Sequence, residues 1–498
     1  MNDPAMRRAD FMMVLAYASD LATGQTRDFA LRACVLAMRL ARAARLEERE
    51  HRAVFHQSLL RYIGCNADTH LLVAAFGDEF VLRRDVAKTN LGDLAERRAL
   101  FVRAFTRLNQ GLPPDEMAKV LEASLPQAPL VTIPVLSGHC EVAQRIGARL
   151  GLPEEICTNL GQLYERWDGR GMPHGIAGEA VKLAVRLVTL AQDAVIQAEA
   201  LGVEGMADII AARRDGPYEA ALADVLLADH RRLMDGLDDE IGRDSILSLE
   251  PQPHAMMDEE NCEEAYLAIA DMIDMRMPCT MGHSRAVAAL ADAAARHMKL
   301  PDKDVRCVRW AAYVHDIGEL AMPVADWLKA KPFARREIDE MHLHPYHGER
   351  ALAALGGGDG QSVAALVLRF QEDPDTRLLI ANPAAAGTGF TLTAASYTVY
   401  ESLSWRYDHY AQSQDRNHRI GQTQPVTYVR LIAADTIEEA VVTALERKSS
   451  LARSLLGDQG AGELVSKLSQ QEMFDLLTNN RLPVSGKTDN ARLDAALP

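Results

Sequence analysis

Two adjacent residues with metal-binding side chains, His315 and Asp316, end an apolar helical stretch in the sequence YVHDIGELAMP. His283 precedes this pair, and His344 follows it. Imidazole and carboxylate groups bind Fe, Mn or Zn, and such an ion can activate water for attack on phosphorus. The four residues would supply three or four ligands, enough for one ion. The pattern predicts a divalent metal site, with His315 and Asp316 as the candidate catalytic residues.

Helices must position these side chains, because the surrounding sequence has apolar residues three and four positions apart. This pattern predicts all-α blocks over residues 1–235 and 261–369. Residues 236–260 are acidic, contain two prolines and are predicted to be a linker. Short β-type runs then alternate with helical segments, which predicts a partial α/β unit over 370–457. A C-terminal helix and a loose tail are expected over 458–498.

Composition indicates a multidomain protein of the globular class. The chain has 498 residues, too many for one ordinary core, and its net charge of −16 does not favour DNA as a partner. Its seven cysteines are scattered without a C-x-x-C pair, which is typical of reduced thiols in a cytoplasm. No run approaches 18 apolar residues, so no membrane span or secretory signal is expected.

The second helical block resembles the first half of an HD-GYP domain, a branch of the HD metal-dependent phosphohydrolases. The resemblance lies in MGHSRAVAALADAAARHMKLPDKDVRCVRWAAYVHDIGELAMP and MHLHPYHGERAL. It implies metal ligation by His283, His315, Asp316 and His344, and a nucleotide or cyclic dinucleotide as substrate, since many family members hydrolyse cyclic di-GMP.

Two departures from the family pattern predict weak or absent activity. Glu319 stands where the family usually has a lysine, which removes a cation that could hold a phosphate. Phe370 and Gln371 stand where a His–His pair is expected, and neither the GYP loop nor the later aspartate follows. The second half of the metal site is therefore missing from this block.

The first block resembles a degenerate copy of the same family. YERWDGRGMPHGIAGEAVKLAVRLVTLAQDA matches the region of the GYP loop, with Gly171–Pro173 in the signature place. Arg61–Tyr62 replace the His–Asp pair, Leu163–Tyr164 replace the His–His pair, and Gln192 replaces the late aspartate. His139 is interpreted as a helix-start histidine and not as a ligand. The resemblance thus implies a duplicated domain without metal.

The α/β segment resembles the end of the second motor lobe of Swi/Snf-type superfamily two helicases. AAAGTGFTLTAAS resembles motif V, and QSQDRNHRIGQT resembles motif VI. The resemblance implies that Arg416 and Arg419 contact ATP phosphates at the cleft between the two lobes. It also implies that other motif residues support this cleft: Gly387, Thr388, Gly389 and Gln412. ATP is expected only if another chain supplies the first lobe, because PVSGKTD near the C-terminus lacks the first glycine of a P-loop. Residues 370–498 hold 12 Lys and Arg against 16 Asp and Glu, so they form no basic DNA track.

Three functional hypotheses follow from these patterns. The first is an HD-domain phosphohydrolase relative of the nucleotide or cyclic-dinucleotide phosphodiesterase class, weak or inactive. The second is a helicase-related ATP- and DNA-binding protein without its first lobe. The third is a non-catalytic signalling scaffold. Two incomplete patterns meet near residue 370, which indicates either a gene fusion or a rearranged reading frame.

Overall fold

The computed structural model describes residues 6–26, 28–124, 128–328, 337, 341 and 343–352, together with shorter stretches between 392 and 446. Contacts divide the chain into two units, Met1–Gly360 and Gln361–Pro498. The helices of the first unit are α1 Arg8–Thr23, α2 Phe29–Ala43, α3 Glu48–Leu60, α4 Thr69–Phe76, α5 Glu79–Lys88, α6 Leu94–Leu108, α7 Pro114–Ser124, α8 Ala128–Arg149, α9 Glu154–Leu160, α10 Leu183–Ala212, α11 Ala220–Ala228, α12 His230–Met234, α13 Arg243–Ser248, α14 Glu259–Asp274, α15 His283–His297, α16 Asp302–Tyr313, α17 Val324–Trp327 and α18 His344–Leu352. The expectation of a mainly helical protein is confirmed. Among the helices described, none is both long and apolar enough to cross a membrane.

Helix α1 lies at the centre of the first unit. Its sequence RADFMMVLAYASDLAT is buried on nearly every side, as expected for a helix that is apolar around most of its circumference. The Asp10 carboxylate accepts a hydrogen bond from the Arg7 backbone N–H at 3.0 Å, which secures the start of the helix. The helix ends at Gly24, whose φ of 64° places it in the left-handed region.

The two helical blocks share one hydrophobic core. Arg8 N–H donates to the carbonyl of Ala255, and Met257 N–H donates to the carbonyl of Met6, each at 2.8 Å. The rings of Phe11 in α1 and Tyr266 in α14 meet edge to face at 5.1 Å. These contacts join the start of the chain to the second block.

The region predicted to be a linker, 236–260, packs into this core. It contains α13, and the side chains of Ile246, Leu247 and Leu249 are buried. Acidic residues in this region flank a short apolar stretch that is buried at and just after α13. The predicted domain boundaries themselves stay predictions.

A tight turn follows α16 and carries the HDIG sequence. Ile317–Ala321 form a short 3₁₀ helix whose Ile317 and Leu320 side chains are fully buried. A β-carbon on Gly318 would lie 1.7 Å from the carbonyl oxygen of His344 in α18. Only glycine permits the backbones of this turn and α18 to pack so closely.

In the second unit, strands β1 Tyr397–Tyr400 and β2 Thr427–Arg430 pair in parallel. Both were predicted as β-type runs, and their parallel pairing is typical of an α/β unit. The predicted strand TRLLIAN lies outside the described residues.

Candidate metal centre

Three of the predicted ligands come together at one end of the second block. His283 is the first residue of α15, and His315 and Asp316 lie in the turn after α16. The Oδ2 atom of Asp316 lies 3.4 Å from Nε2 of His283 and 3.0 Å from Nε2 of His315. The ligating atoms of all three residues lie within 4.8 Å of one another. Among the residues that the structure describes, no other group of His, Cys, Asp and Glu has this spacing.

The spacing of these atoms fits one metal ion. Ligands about 2.1 Å from an ion lie about 3.0–3.4 Å apart in octahedral or tetrahedral geometry. The two separations from Asp316 Oδ2 fall in this range. Two imidazoles and one carboxylate are a donor set suited to Fe, Mn or Zn. The residues present therefore fit an ion of the predicted type.

Backbone carbonyls orient the histidines. His315 Nδ1 lies 2.9 Å from the carbonyl oxygen of Ala312, which orients the ring so that Nε2 faces Asp316. Next to His283, Ser284 donates from its backbone N–H and its hydroxyl to Asp274 at 3.0 and 2.7 Å. The buried Asp274 thus fixes the start of α15, from which His283 projects.

The electrostatics of the site favour an ionised Asp316. Burial opposes its ionisation, but hydrogen bonds from His283 and His315 outweigh burial and hold the pKa of Asp316 well below its usual range. Burial, together with the nearby charge of Asp316, raises the pKa of Glu319 to about 7. Glu319 therefore adds no positive charge where the family usually has a lysine.

His344 does not join the three-residue group. Its Nδ1 lies 2.8 Å from the carbonyl oxygen of Met341, and its own carbonyl packs against Gly318. His344 stays a predicted ligand, placed beside the metal loop by backbone packing. His347, on the same helix, has its pKa lowered by burial and by the charge of Arg350.

A narrow cleft adjoins the ligands. It has a volume of about 20 Å³, room for about one water molecule or ion. Its walls include His283, Asp316, Glu319, Arg276 and Trp327. The cleft gives a small molecule access to His283 and Asp316.

Two buried charged residues hold the loop that carries the ligands. Arg276 donates to the carbonyls of Glu319 and Met322 at 3.0 and 2.6 Å. Glu79, from α5 of the first block, accepts from the backbone N–H of Val324 at 2.5 Å. Its carboxylate also lies 3.7 Å from the Arg276 guanidinium. Glu79 of the first block therefore caps α17, and with Arg276 it supports the segment that follows His315 and Asp316.

Glu79→Gln is expected to lower the free energy of unfolding by on the order of 2 kcal/mol, because a buried charge-assisted contact is lost. The loss stays moderate because glutamine keeps an acceptor for Val324 and Arg276 keeps its carbonyl partners. Urea unfolding followed by circular dichroism measures the change. Glu116→Gln, at an exposed position, is the control and should change stability by less than about 0.5 kcal/mol. Equal effects of the two substitutions would contradict the support assigned to Glu79.

The first block repeats the glycine contact of the second. A β-carbon on Gly64, in the sequence RYIG, would lie 2.0 Å from the carbonyl oxygen of His139. Gly318 in HDIG makes the same contact with His344, so His139 is the counterpart of His344. Sequence analysis interpreted His139 as a helix-start histidine, whereas it lies inside α8. The glycine that RYIG and HDIG share is the sequence feature that could have indicated the contact of His139.

Other replaced positions of the first block hold polar side chains that carry no negative charge. Arg61, in the place of the metal-binding histidine, donates to the Thr189 hydroxyl at 2.8 Å. Gln192, in the place of the late aspartate, is buried. Tyr164 approaches His139 Nδ1 at 3.0 Å. A guanidinium and two neutral side chains are poor ligands for a cation, in line with the interpretation of a block without metal.

In the second unit, Arg416 is the one predicted nucleotide-binding residue that the described part of the chain includes. Its carbonyl accepts from Leu392 N–H at 2.9 Å, and the neighbouring Asn417 donates to Thr398 in β1 at 2.5 Å. The other predicted positions, Gly387, Thr388, Gly389, Gln412 and Arg419, lie outside the described residues.

Comparison with known proteins bears on the second block. The sequence profile of the HD domain family matches residues 280–419, which include His283, His315, Asp316 and His344. Residues 280–419 are therefore similar to the HD domain family. The match continues beyond the predicted boundary at residue 370.

One known protein is similar to this chain along most of its length. The 3'3'-cGAMP-specific phosphodiesterase 3 of Vibrio cholerae serotype O1 is 26% identical over 364 residues, which cover 70% of this chain and 75% of that protein. The crystal structure of a cyclic GMP-AMP-specific phosphodiesterase from V. cholerae (V-cGAP3) has a TM-score of 0.52 at 23% identity. The structural alignment covers 72% of this chain and 81% of the V. cholerae chain. The structural likeness supports the fold.

Helicases match a shorter part of the chain. The DNA annealing helicase and endonuclease ZRANB3 of Mus musculus is 45% identical over 91 residues, 18% of this chain and 8% of that protein. The lymphoid-specific helicase of Homo sapiens is 32% identical over 147 residues, 28% of this chain and 17% of that protein. The chain spans less than a fifth of either helicase, so the helicase resemblance is partial.

Proposed function

We propose that this chain binds one divalent Fe, Mn or Zn ion through His283, His315 and Asp316 and slowly hydrolyses a nucleotide or cyclic dinucleotide. The observation that carries the proposal is the convergence of three ligating atoms at separations suited to a single ion. The V. cholerae relative named for 3'3'-cGAMP makes that cyclic dinucleotide the first substrate to test.

The ligand residues determine what the site can do. When bound, the ion supplies an activated water for attack on a phosphodiester. The Ala312 carbonyl keeps the Nε2 lone pair of His315 directed at the site, and Asp316 contributes the negative charge.

Slow turnover follows from what surrounds these ligands. Three residues hold one ion, whereas a second ion would need the His–His pair and late aspartate that the sequence lacks. Glu319 places a carboxyl group where a lysine could otherwise stabilise a phosphate. Transition-state charge is therefore less well stabilised than in a complete site.

A hydrolysis assay tests this function. The chain is reconstituted separately with Fe, Mn and Zn and incubated with 3'3'-cGAMP and cyclic di-GMP, and the products are separated by chromatography. We expect slow, metal-dependent hydrolysis that falls at least about tenfold in His315→Ala, because one of three ligands is lost. His297→Ala, which removes an exposed histidine at the end of α15, is the matched control. Equal rates for the wild type and His315→Ala with every metal would leave the non-catalytic signalling scaffold as the better hypothesis.

The second unit supports a second, separate proposal: residues 370–457 form part of a helicase motor lobe. Its support is the parallel pairing of β1 and β2, between which motif VI lies in the sequence. Tyr428 in β2 donates to the carbonyl of Gln414 in that motif at 3.0 Å. In this proposal the motif V and VI residues contact ATP only when another chain supplies the first lobe.

A further inference from the structure

A buried cluster of cysteine, histidine, aspartate and tyrosine lies in the first block. Nε2 of His139 lies 2.7 Å from Oδ1 of Asp68. On the other side of the ring, Nδ1 lies 3.0 Å from the Tyr164 hydroxyl. That hydroxyl is 3.0 Å from Sγ of Cys65. The imidazole of His139 thus has a carboxylate on one nitrogen and a thiol with a phenol near the other.

The backbone holds this cluster rigidly. Gly64, which precedes Cys65, packs directly against the carbonyl of His139. Arg83 in α5 donates to the carbonyl of Cys65 at 2.5 Å and to the Thr69 hydroxyl at 2.9 Å. The thiol and the imidazole therefore stay close together, with a guanidinium beside the backbone of Cys65.

The electrostatics distinguish Cys65 from the other buried cysteines. Burial would raise the pKa of the Cys65 thiol, but a hydrogen bond and the charge of His139, aided by Arg83, lower it. Burial would lower the pKa of His139, but hydrogen bonds to Asp68 and Cys65 outweigh it and raise the pKa to about 9. In contrast, burial raises the pKa of both Cys140 and Cys262 to about 11.

We propose that Cys65 is a reactive thiolate, paired with the imidazolium of His139 and oriented through Asp68, and that it is a modification site for small electrophiles such as peroxides. The arrangement resembles an activated nucleophile: the Tyr164 hydroxyl links the imidazole of His139 to the thiol, and Asp68 orients the imidazole. This site is independent of the metal centre in the second block.

Reaction with a peroxide balances as follows. The thiolate sulfur attacks one peroxide oxygen, the S–O bond forms, and the O–O bond breaks. The sulfur is oxidised by two electrons to a sulfenic acid, and the peroxide is reduced. The leaving hydroxide takes the Nδ1 proton of the His139 imidazolium and becomes water. The Tyr164 hydroxyl lies close enough to donate a hydrogen bond to the sulfur before and after the step.

The reagent must be small to reach Cys65, because this residue is only 7% exposed. Cys140 and Cys262, at 4% and 5%, are matched in burial and so control for access. The charged and titratable groups outside the cluster that act on its members are Arg61, Arg83 and Cys140.

Thiol labelling tests the proposal. The folded full-length chain is pulsed with methyl methanethiosulfonate between pH 5.5 and 9, and the labelled peptides are quantified by mass spectrometry. We expect Cys65 to react at least about tenfold faster than Cys140 and Cys262 at pH 7, because a larger fraction of its thiol is ionised. The two control cysteines should react faster as the pH rises, because their thiolate fractions increase.

Two variants distinguish activation of the Cys65 thiol from an effect on the fold. His139→Gln should reduce the Cys65 rate to that of Cys140, and Asp68→Asn should produce a smaller reduction, because asparagine still accepts a hydrogen bond but carries no charge. Unchanged rates for Cys140 and Cys262 in each variant show that the fold persists. The proposal is overturned if Cys65 in the wild type reacts no faster than Cys140, a result that does not depend on either variant.

Discussion

Gly318→Ala is expected to destabilise the first unit by about 4 kcal/mol or more, the largest effect of a single methyl group that we predict in this chain. The added β-carbon would lie 1.7 Å from the His344 carbonyl oxygen and 2.7 Å from the Gly348 nitrogen. Both obstacles are backbone atoms, so no side-chain rotation relieves the clash. The turn carrying His315 and Asp316 must then separate from α18. Urea unfolding followed by circular dichroism measures the loss.

Gly64→Ala tests the corresponding close contact in the first block. Its β-carbon would lie 2.0 Å from the His139 carbonyl oxygen, so a similar loss is expected. Gly138→Ala in α8 is the control, since no atom lies within 4 Å of its β-carbon. Because alanine favours a helix over glycine, this control should be neutral or stabilising by up to about 1 kcal/mol. If all three substitutions had similar effects, the close packing of the two turns would not be a determinant of stability.

The sequence predicted the local features of this fold well, because they depend on local patterns. Apolar residues three and four apart indicated the helices, and the order of His283, His315 and Asp316 indicated a candidate metal site whose ligating atoms converge in the structure. These residues are brought together by α15 and α16, adjacent helices of one hairpin, so the sequence distance between them is short.

Contacts between distant segments were not predicted. Glu79 meets Val324 across 245 residues, and neither residue lies in a pattern that indicates a contact. The partners of His139, Asp68 and Tyr164, come from separate turns of the first block, so the sequence did not indicate these contacts. Single buried polar contacts have no periodicity, so only the folded backbone reveals them.

The predicted linker was misjudged in its packing for a related reason. Prolines and acidic residues in 236–260 are typical of exposed segments, yet α13 and the buried Leu249 lie in the core. A stretch this short has too few apolar residues to produce a periodic pattern. Its partners, in α1 and α2, lie more than 200 residues earlier in the chain.

Loss of a metal ligand is expected to have the second large effect. His283→Ala, His315→Ala and Asp316→Asn should each weaken Mn²⁺ or Zn²⁺ binding by more than about a hundredfold, because a site of three protein ligands becomes one of two. Calorimetric titration of the metal into the full chain measures the affinity, and elemental analysis measures the stoichiometry. The wild type should bind one ion per chain at this site.

His344→Ala distinguishes a three-ligand site from the four-ligand site that the family pattern implies. Because His344 lies outside the group of converging atoms and its carbonyl packs against Gly318, its side chain should change the affinity by less than about threefold. His297→Ala, at the exposed end of α15, again serves as the control. A loss in His344→Ala as large as that in His315→Ala would mean that metal binding draws His344 into the site. In that case α18 moves with its ring, and the three-ligand geometry describes only the metal-free protein.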